Sequence, residues 1–243
     1  MKLRSLTAFF PCYNEEANVE PMVEQFLSVL PSLAKTFEIV IVNDGSSDCT
    51  GAIADRLAVQ HKTVRVIHHP RNLGYGASLR SGFDTAKYDW IFFTDGDMQF
   101  DVAQLKKFLP YTETHHAIIG YRKRRAEGSV RALNAKLFKL YIDTLFRLHV
   151  KDIDCAFKLL RRDVMQSLPL QSTGAFTSAE FLYRLKKAGT VFKQVAVDHF
   201  PRQYGKPTGN HPKVVVKAGI EAMKLYLEMK FGKQNTKLRP ASE

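Results

Sequence analysis

Long apolar runs are the first thing this sequence of 243 residues lacks. Its longest charge-free stretch, Val164 to Ala179, is interrupted by Gln166, Pro169, Gln171, Ser172 and Thr173, too polar for a membrane-spanning helix. The start, MKLRSLTAFFPCYNEE, meets a proline, an asparagine and two glutamates before any apolar region develops, so no signal peptide is expected. Cysteine is scarce. Cys12, Cys49 and Cys155 are odd in number and lack metal-type spacing, which points to reduced thiols in a cytosolic setting rather than a disulfide frame. No G-x-G-x-x-G follows the first strand-like segment, which argues against a nicotinamide or flavin dehydrogenase, and no Walker phosphate loop occurs. Acidic residues thin out along the chain: residues 1–101 hold 9 basic and 13 acidic side chains, residues 102–243 hold 27 and 11. The net charge of +12 is therefore a property of the second half, which calls for an anionic partner: nucleic acid, a phosphate-bearing substrate or an anionic membrane face.

With 45% apolar and 25% charged residues, the chain can bury one sizeable core. Short apolar runs alternate with amphipathic segments over the first hundred residues. Leu6–Phe10, Phe37–Asn43, Val64–His68 and Asp89–Thr94 read as strands, the first ending at Pro11. Glu16–Ala34, Cys49–Gln60 (N-capped by Asp48) and Ala77–Ala86 read as the helices between them. Strand, helix, strand, helix predicts an α/β fold with a mostly parallel sheet covered on both faces. The second half predicts strands at Ala117–Gly120, Ala156–Leu160 and Val191–Val197, and helices at Ser129–His149, Ala179–Ala188 and Lys213–Phe231. No linker divides the chain, so one domain over 1–231 is expected, with halves 1–101 and 102–231 and a flexible tail at 232–243.

Ligands of open α/β sheets bind beyond the carboxyl ends of the strands. The four loops there are Pro11-Cys12-Tyr13-Asn14-Glu15-Glu16, Asn43-Asp44-Gly45-Ser46-Ser47-Asp48, Arg71-Asn72-Leu73-Gly74-Tyr75-Gly76 and Asp95-Gly96-Asp97-Met98-Gln99. All four are polar. The Asp95-x-Asp97 pair leaves a buried strand, and two carboxylates there can converge on a hard divalent cation, with Gln99 adding a carbonyl oxygen.

PCYNEE, VNDGSSDCT, NLGYGASLRSG and DGDMQFD, in this order, resemble the nucleotide-sugar half of a family 2 glycosyltransferase of the GT-A fold. DIDCAFKLLRR, SAEFLYRLKKAG and HFPRQYGKPTG resemble the branch that includes dolichyl-phosphate mannose synthases and bacterial polyprenyl-phosphate sugar transferases. The resemblance implies a nucleotide-sugar site in which Pro11, Tyr13 and Glu15 contact base and ribose, Asp44 bonds the base, and Gly74 belongs to the same site. It implies a Mg²⁺ or Mn²⁺ site at Asp95, Asp97 and Gln99, with Asp95 also near the ribose. It places the acceptor phosphate at Arg122, Arg131 and Arg202, and it makes Asp154, Arg202 and Glu180 the catalytic candidates, Glu180 alternatively organising the site. An acidic side chain suits uracil or guanine equally, so UDP- and GDP-linked donors both stay open.

The implied activity is inverting, metal-dependent transfer of a sugar to a dolichyl or undecaprenyl phosphate. A saccharide or protein hydroxyl is the alternative acceptor; a nucleic-acid-binding domain is disfavoured by the acidic first half. Some relatives in this branch carry C-terminal membrane helices, whereas this sequence holds none. The expected location is peripheral, on the cytoplasmic face of the inner membrane, and a separate membrane-anchoring subunit is compatible with it. Within Ser129–His149, Phe138, Tyr141, Leu145 and Phe146 form an apolar face that could either insert into lipid or join the core.

Overall fold

The computed structural model describes residues 1–123, 129–205 and 212–231. Strands and helices alternate through β1 (Leu3–Cys12), α1 (Glu16–Leu33), β2 (Ala34–Asn43), α2 (Thr50–Gln60), β3 (Val64–His68), α3 (Tyr75–Thr85) and β4 (Trp90–Phe93). The chain continues through β5 (Ala117–Arg122), α4 (Ser129–Phe146), β6 (Lys158–Arg161), α5 (Arg162–Gln166), α6 (Thr177–Lys187), β7 (Phe192–Val197) and α7 (Pro212–Phe231). One seven-stranded sheet results, in the order β3-β2-β1-β4-β6-β5-β7. Every pairing is parallel except those of β6, which runs antiparallel to β4 and β5. Two 3₁₀ segments, Val102–Lys107 and Leu109–Tyr111, and the short α5 were not expected from the sequence.

The first strand does not stop at Pro11. Thr94 N–H donates to the Phe9 carbonyl on the β4 side, and Pro11, two residues on, faces that same side beyond the last β4 partner, Phe93. A missing N–H there breaks no ladder, so β1 runs on beside β2 to Cys12. The cap of α2 falls on Cys49, one residue after Asp48; Asp48 instead accepts from Thr50 N at 3.0 Å and from Glu16 N at 3.3 Å, tying two loops.

Alternating side chains of the buried strands feed two cores. Phe10 and Phe92 face α1, where Phe26 meets them, and Phe157 joins the same core against Phe92 at 4.7 Å. Phe9 and Phe93 face α3 and α6, with Phe83 edge-on to both at 5.2 and 5.3 Å. Gly82 permits this approach, because a Cβ there would lie 2.3 Å from the Phe9 ring.

Helix α4 ends at Phe146 rather than His149. Arg147 and His149 take left-handed backbone conformations, and Asp143 accepts from the His149 N–H at 3.1 Å, closing the helix. The face of Phe138, Tyr141, Leu145 and Phe146 belongs to the core, not to a lipid surface. Phe146 is 5% exposed and meets the rings of Phe176, Tyr183 and Tyr226, and the other three pack half-buried against the same cluster. The reason is α7, which lies along α4 with Tyr141 Oη donating to the Gly219 carbonyl at 3.2 Å. What the two helices leave outside is Leu137 and Leu140 on α4, and Val216, Ile220, Met223, Leu227 and Phe231 on α7. Among the described residues, no helix is long and apolar enough to cross a membrane. The expected tail, residues 232–243, lies outside the described residues.

Phe146→Ala should therefore cost about 3–5 kcal/mol in urea denaturation, through lost burial and a cavity. Leu140→Ala should stay within about 0.5 kcal/mol of the parent. Equal losses from the two changes would show that the α4 faces have been assigned wrongly.

Candidate active site

The parallel strands β1, β2, β3 and β4 deliver their loops to one edge of the sheet. After β1, Asn14 sits in the left-handed region (φ 55°) and accepts from Ser47 N at 2.8 Å, joining the first loop to the second. Pro11 lies at the floor of this edge: its carbonyl would be 2.8 Å from a Cβ at Gly96. Tyr13 stands 40% exposed at the mouth. Glu15 accepts from Asn18 Nδ2 at 2.6 Å and pairs with Arg202. Burial raises the Glu15 pKa, and the hydrogen bonds from Asn18 and Arg202 oppose the shift.

Asp44, expected at the base, is also the anchor of the third loop. Its carboxylate accepts from His69 Nδ1 at 2.6 Å, Leu73 N at 2.9 Å and Gly74 N at 2.9 Å. His69 in turn reaches Ser81 Oγ at 2.9 Å. A carboxylate has about four acceptor positions, so these three donors leave Asp44 one. Gly74 takes φ 97°, and a Cβ there would lie 2.6 Å from the Thr173 carbonyl.

Asp95 and Asp97 follow β4, with Met98 turned into the left-handed region (φ 60°) between Asp97 and Gln99. Tyr75 Oη donates to Asp95 at 2.9 Å. Burial, first, and the Asp97 charge, second, push the Asp95 carboxyl up from 3.8 to about 7, against the pull of Tyr75, Lys158 and Arg122. Gln99 donates its side-chain amide to the Phe200 carbonyl at 3.0 Å, while Phe200 N–H donates to the Gln99 carbonyl at 2.9 Å. These bonds lay residues 199–205 across the site as a strap. Gln99 is thus a tether, with its side-chain oxygen left as its one ligating atom.

From the strap, Arg202 reaches Glu15 with one guanidinium nitrogen and Asp97 with the other, at 3.5 Å, and Nε donates to the Tyr204 carbonyl at 2.6 Å. A cation thus already stands against two carboxylates of this edge. Asp95, Asp97 and the Gln99 oxygen form an all-oxygen donor set that suits Mg²⁺ or Mn²⁺. Among the described residues, no three His, Cys, Asp or Glu side chains close around an ion. The set therefore fits an ion that draws its remaining ligands from substrate oxygens or water.

The second half supplies the facing wall. Arg122 is buried in a bidentate pair with Asp152, at 2.6 and 2.9 Å. That pairing makes it a brace for the Asp152–Ala156 turn more than an open phosphate ligand. Half-buried Asp154 lies on this turn. Glu180 is 1% exposed and accepts from Gln171 N, Ser172 N and Arg184 Nε, so its geometry supports the organising alternative over proton transfer. The side chain of Arg131 lies outside the described residues. His69, Tyr75 and Lys158 escaped the sequence reading. Their positions within or beside the edge loops are visible in the sequence, but their partners are set by tertiary approach.

A raised Asp95 pKa fixes the sign of one pH effect. Between about pH 4 and 7 the folded state keeps a proton that the unfolded state has lost, so stability falls as pH rises through that window and levels off above it. Melting curves of metal-free protein should show this decline, on the order of 1 kcal/mol per pH unit at most. Asp95→Asn should flatten it. A decline that survives in Asp95→Asn would assign the proton to another group.

The chain matches the family model described as Glycosyl transferase family 2 over residues 7–168. Undecaprenyl-phosphate 4-deoxy-4-formamido-L-arabinose transferase of Aeromonas hydrophila is 24% identical over 168 residues, 68% of this chain and 52% of that one. Dolichyl-phosphate beta-glucosyltransferase of Trichomonas vaginalis is 29% identical over 179 residues, 67% of this chain and 53% of that one. The chain thus spans about half the length of these curated relatives. Among solved structures, glucosyl-3-phosphoglycerate synthase from Mycobacterium tuberculosis, in complex with Mn²⁺, UDP and glucosyl-3-phosphoglycerate, aligns with a TM-score of 0.68 at 16% identity, covering 96% of this chain and 82% of that one. The sheet with its reversed β6 is accordingly the GT-A fold. With an acidic turn after β4 in that fold and a family match over more than half of its length, the chain belongs to glycosyl transferase family 2.

Proposed function

We propose that this chain transfers a sugar from a nucleoside-diphosphate donor to a polyprenyl phosphate, with inversion at the anomeric carbon and with a divalent cation at Asp95 and Asp97. The observation that carries the reading is the position of Arg202, a guanidinium held by the strap against Glu15 and Asp97 where the loops converge. The names of the relatives support the lipid-phosphate acceptor, and the Mn²⁺ and UDP of the structural neighbour support a metal-bound diphosphate. When bound, the cation supplies Lewis-acid neutralisation of the departing diphosphate.

The residues of the chain then have separable tasks. Pro11, Tyr13, Glu15, Asp44 and Gly74 line the nucleoside side. Arg202 trades its carboxylate contacts for phosphate oxygens and steadies negative charge as it builds on the leaving group. A phosphate monoester oxygen is anionic near neutral pH and attacks without a strong base, so positioning dominates. Asp154, on the turn that Arg122 braces, is the general-base candidate should a hydroxyl be the acceptor. Arg122 acts on the acceptor through the Asp152–Ala156 turn that it braces, and Arg131 joins it in holding the phosphate.

Membrane contact is the finer part of this reading. The outward residues Leu137, Leu140, Val216, Ile220, Met223, Leu227 and Phe231 are flanked by exposed Lys136, Lys217, Lys224 and Lys230. An apolar stripe edged by cations suits an anionic bilayer surface, where each lysine contributes about 1 kcal/mol. The proposed location is the cytoplasmic membrane face, without a span in the described residues.

The deciding experiment incubates purified protein with radiolabelled UDP- and GDP-sugars, Mn²⁺ and undecaprenyl phosphate. An organic-extractable, mild-acid-labile product with inverted configuration by proton NMR is expected. Label in a water-soluble saccharide instead would move the acceptor to a hydroxyl, and no transfer from any donor would sink the reading. Asp97→Ala should lose about 100-fold or more in turnover while melting normally, because it sits at a turn rather than in the core.

Sedimentation with anionic liposomes should show binding that weakens with salt and leaves a resistant remainder. The double change Leu140→Ser and Ile220→Ser should remove that remainder without lowering the melting temperature. Retention of the remainder in that variant would place the lipid contact elsewhere.

A further inference from the structure

Among the described residues, Lys158 is the only lysine or arginine that is wholly buried, at 0% exposure. Lysine is almost never fully buried unless it is paired, because desolvating an ammonium costs several kcal/mol. Among the described residues, no carboxylate lies within ion-pair distance of Lys158; its Nζ donates to the Cys155 carbonyl, and the rings of Phe93 and Phe181 lie 5.3 and 6.0 Å away. Its place in the sheet explains what it can reach. On the reversed strand β6 it stands opposite Phe93 of β4 and Ile119 of β5. Phe93 lies two residues before Asp95, and Cys155 directly follows Asp154. The ammonium is thus in the floor beneath both acidic turns. Burial lowers its pKa, and the acids whose fields oppose that shift are Cys155, Asp152, Asp154 and Asp95. Burial pushes Cys155 up to about 12, so among these groups it is the carboxylates that supply the opposing negative charge at physiological pH. Asp152 already has Arg122 and Asp97 has Arg202. Lys158 is a further cation under the same floor.

We propose that Lys158 is a positioning residue of the donor site: its buried ammonium holds the Asp152–Ala156 turn through the Cys155 carbonyl and offsets carboxylate charge so that a cation and an anionic diphosphate can bind together. The proposal rests on the donor-site reading above. An uncompensated carboxylate cluster attracts a bare cation more strongly and repels a diphosphate, so the two affinities must move in opposite directions when the charge is removed. A purely structural lysine would move neither.

The test compares Lys158→Met, which keeps the chain length and removes the charge, with Lys158→Arg, which keeps the charge. Affinity for MnCl₂ alone is read by the electron paramagnetic resonance signal of free Mn²⁺. Affinity for UDP and for GDP at saturating Mn²⁺ is read by calorimetry, with melting curves in parallel. Removing one buried charge leaves the carboxylates uncompensated, so Lys158→Met should melt below the parent yet still fold cooperatively. It should bind Mn²⁺ about threefold or more tightly, bind the preferred nucleoside diphosphate about tenfold or more weakly, and turn over correspondingly more slowly. Lys158→Arg should keep the parental Mn²⁺ affinity. Parental Mn²⁺ and nucleotide affinities in Lys158→Met would overturn the proposal. So would tightened Mn²⁺ binding in Lys158→Arg, or failure of Lys158→Met to fold, which would make the lysine structural. Wild-type protein that binds neither Mn²⁺ nor a nucleoside diphosphate would instead overturn the donor-site reading, and the proposal with it.

Discussion

Carboxylates crowded at one edge of a sheet repel each other, and the architecture around this site answers that repulsion. Glu15, Asp95, Asp97, Asp152 and Asp154 come from three separate loops, brought together because the parallel strands β1 and β4 end where the reversed β6 begins. Among the described residues, Arg202 answers them from the strap and Arg122 from the end of β5, and the proposed role of Lys158 adds a cation from beneath. The surplus of basic residues in the second half is thus partly an internal counterweight to an acidic first half, and partly surface.

This division explains why the second half is less regular than the first. An alternation of β and α suffices to make a parallel sheet. Placing guanidinium and ammonium groups opposite the first half's loops requires a strand running the other way and a strap that returns across the edge. β6 supplies the former, and residues 199–205, fixed by the paired Gln99 and Phe200 bonds, supply the latter.

Most elements of the fold were legible in the sequence, because apolar runs and helical spacing are local properties. Phe37–Asn43 and Val64–His68 sit inside or on β2 and β3 for that reason. The direction of β6 was not legible, since an antiparallel strand looks like a parallel one along its own length. Nor were the 3₁₀ turns at Val102–Lys107, whose sequence has neither period. In the site, loop position picked out Asp44, Asp95 and Asp97, and the motif resemblance picked out Arg202. Neither could tell a ligand from a brace. Arg122 read as a phosphate ligand and Glu180 as either a catalytic group or an organiser of the site; each faces partners inside the fold, Asp152 for one and the Gln171–Ser172 backbone with Arg184 for the other. Lys158 read as one residue of a strand, because burial is invisible until neighbouring strands and α6 close over it. The α4 face was ambiguous for the same reason: only α7 decides which of its apolar residues are inside.

The contact between α3 and the loop before α6 carries a consequence for how such chains diverge. Gly76 donates its N–H to the Thr173 carbonyl at 2.9 Å, and a Cβ on it would lie 2.0 Å from Thr177 Oγ1 and 2.6 Å from the Ser172 carbonyl. A glycine in the first half is therefore shaped by the backbone of the second. Chimaeras that join the first half of one relative to the second half of another inherit that seam. They will assemble only where the incoming loop approaches as closely as this one does, so donor and acceptor preferences are free to recombine only between parents that share the seam.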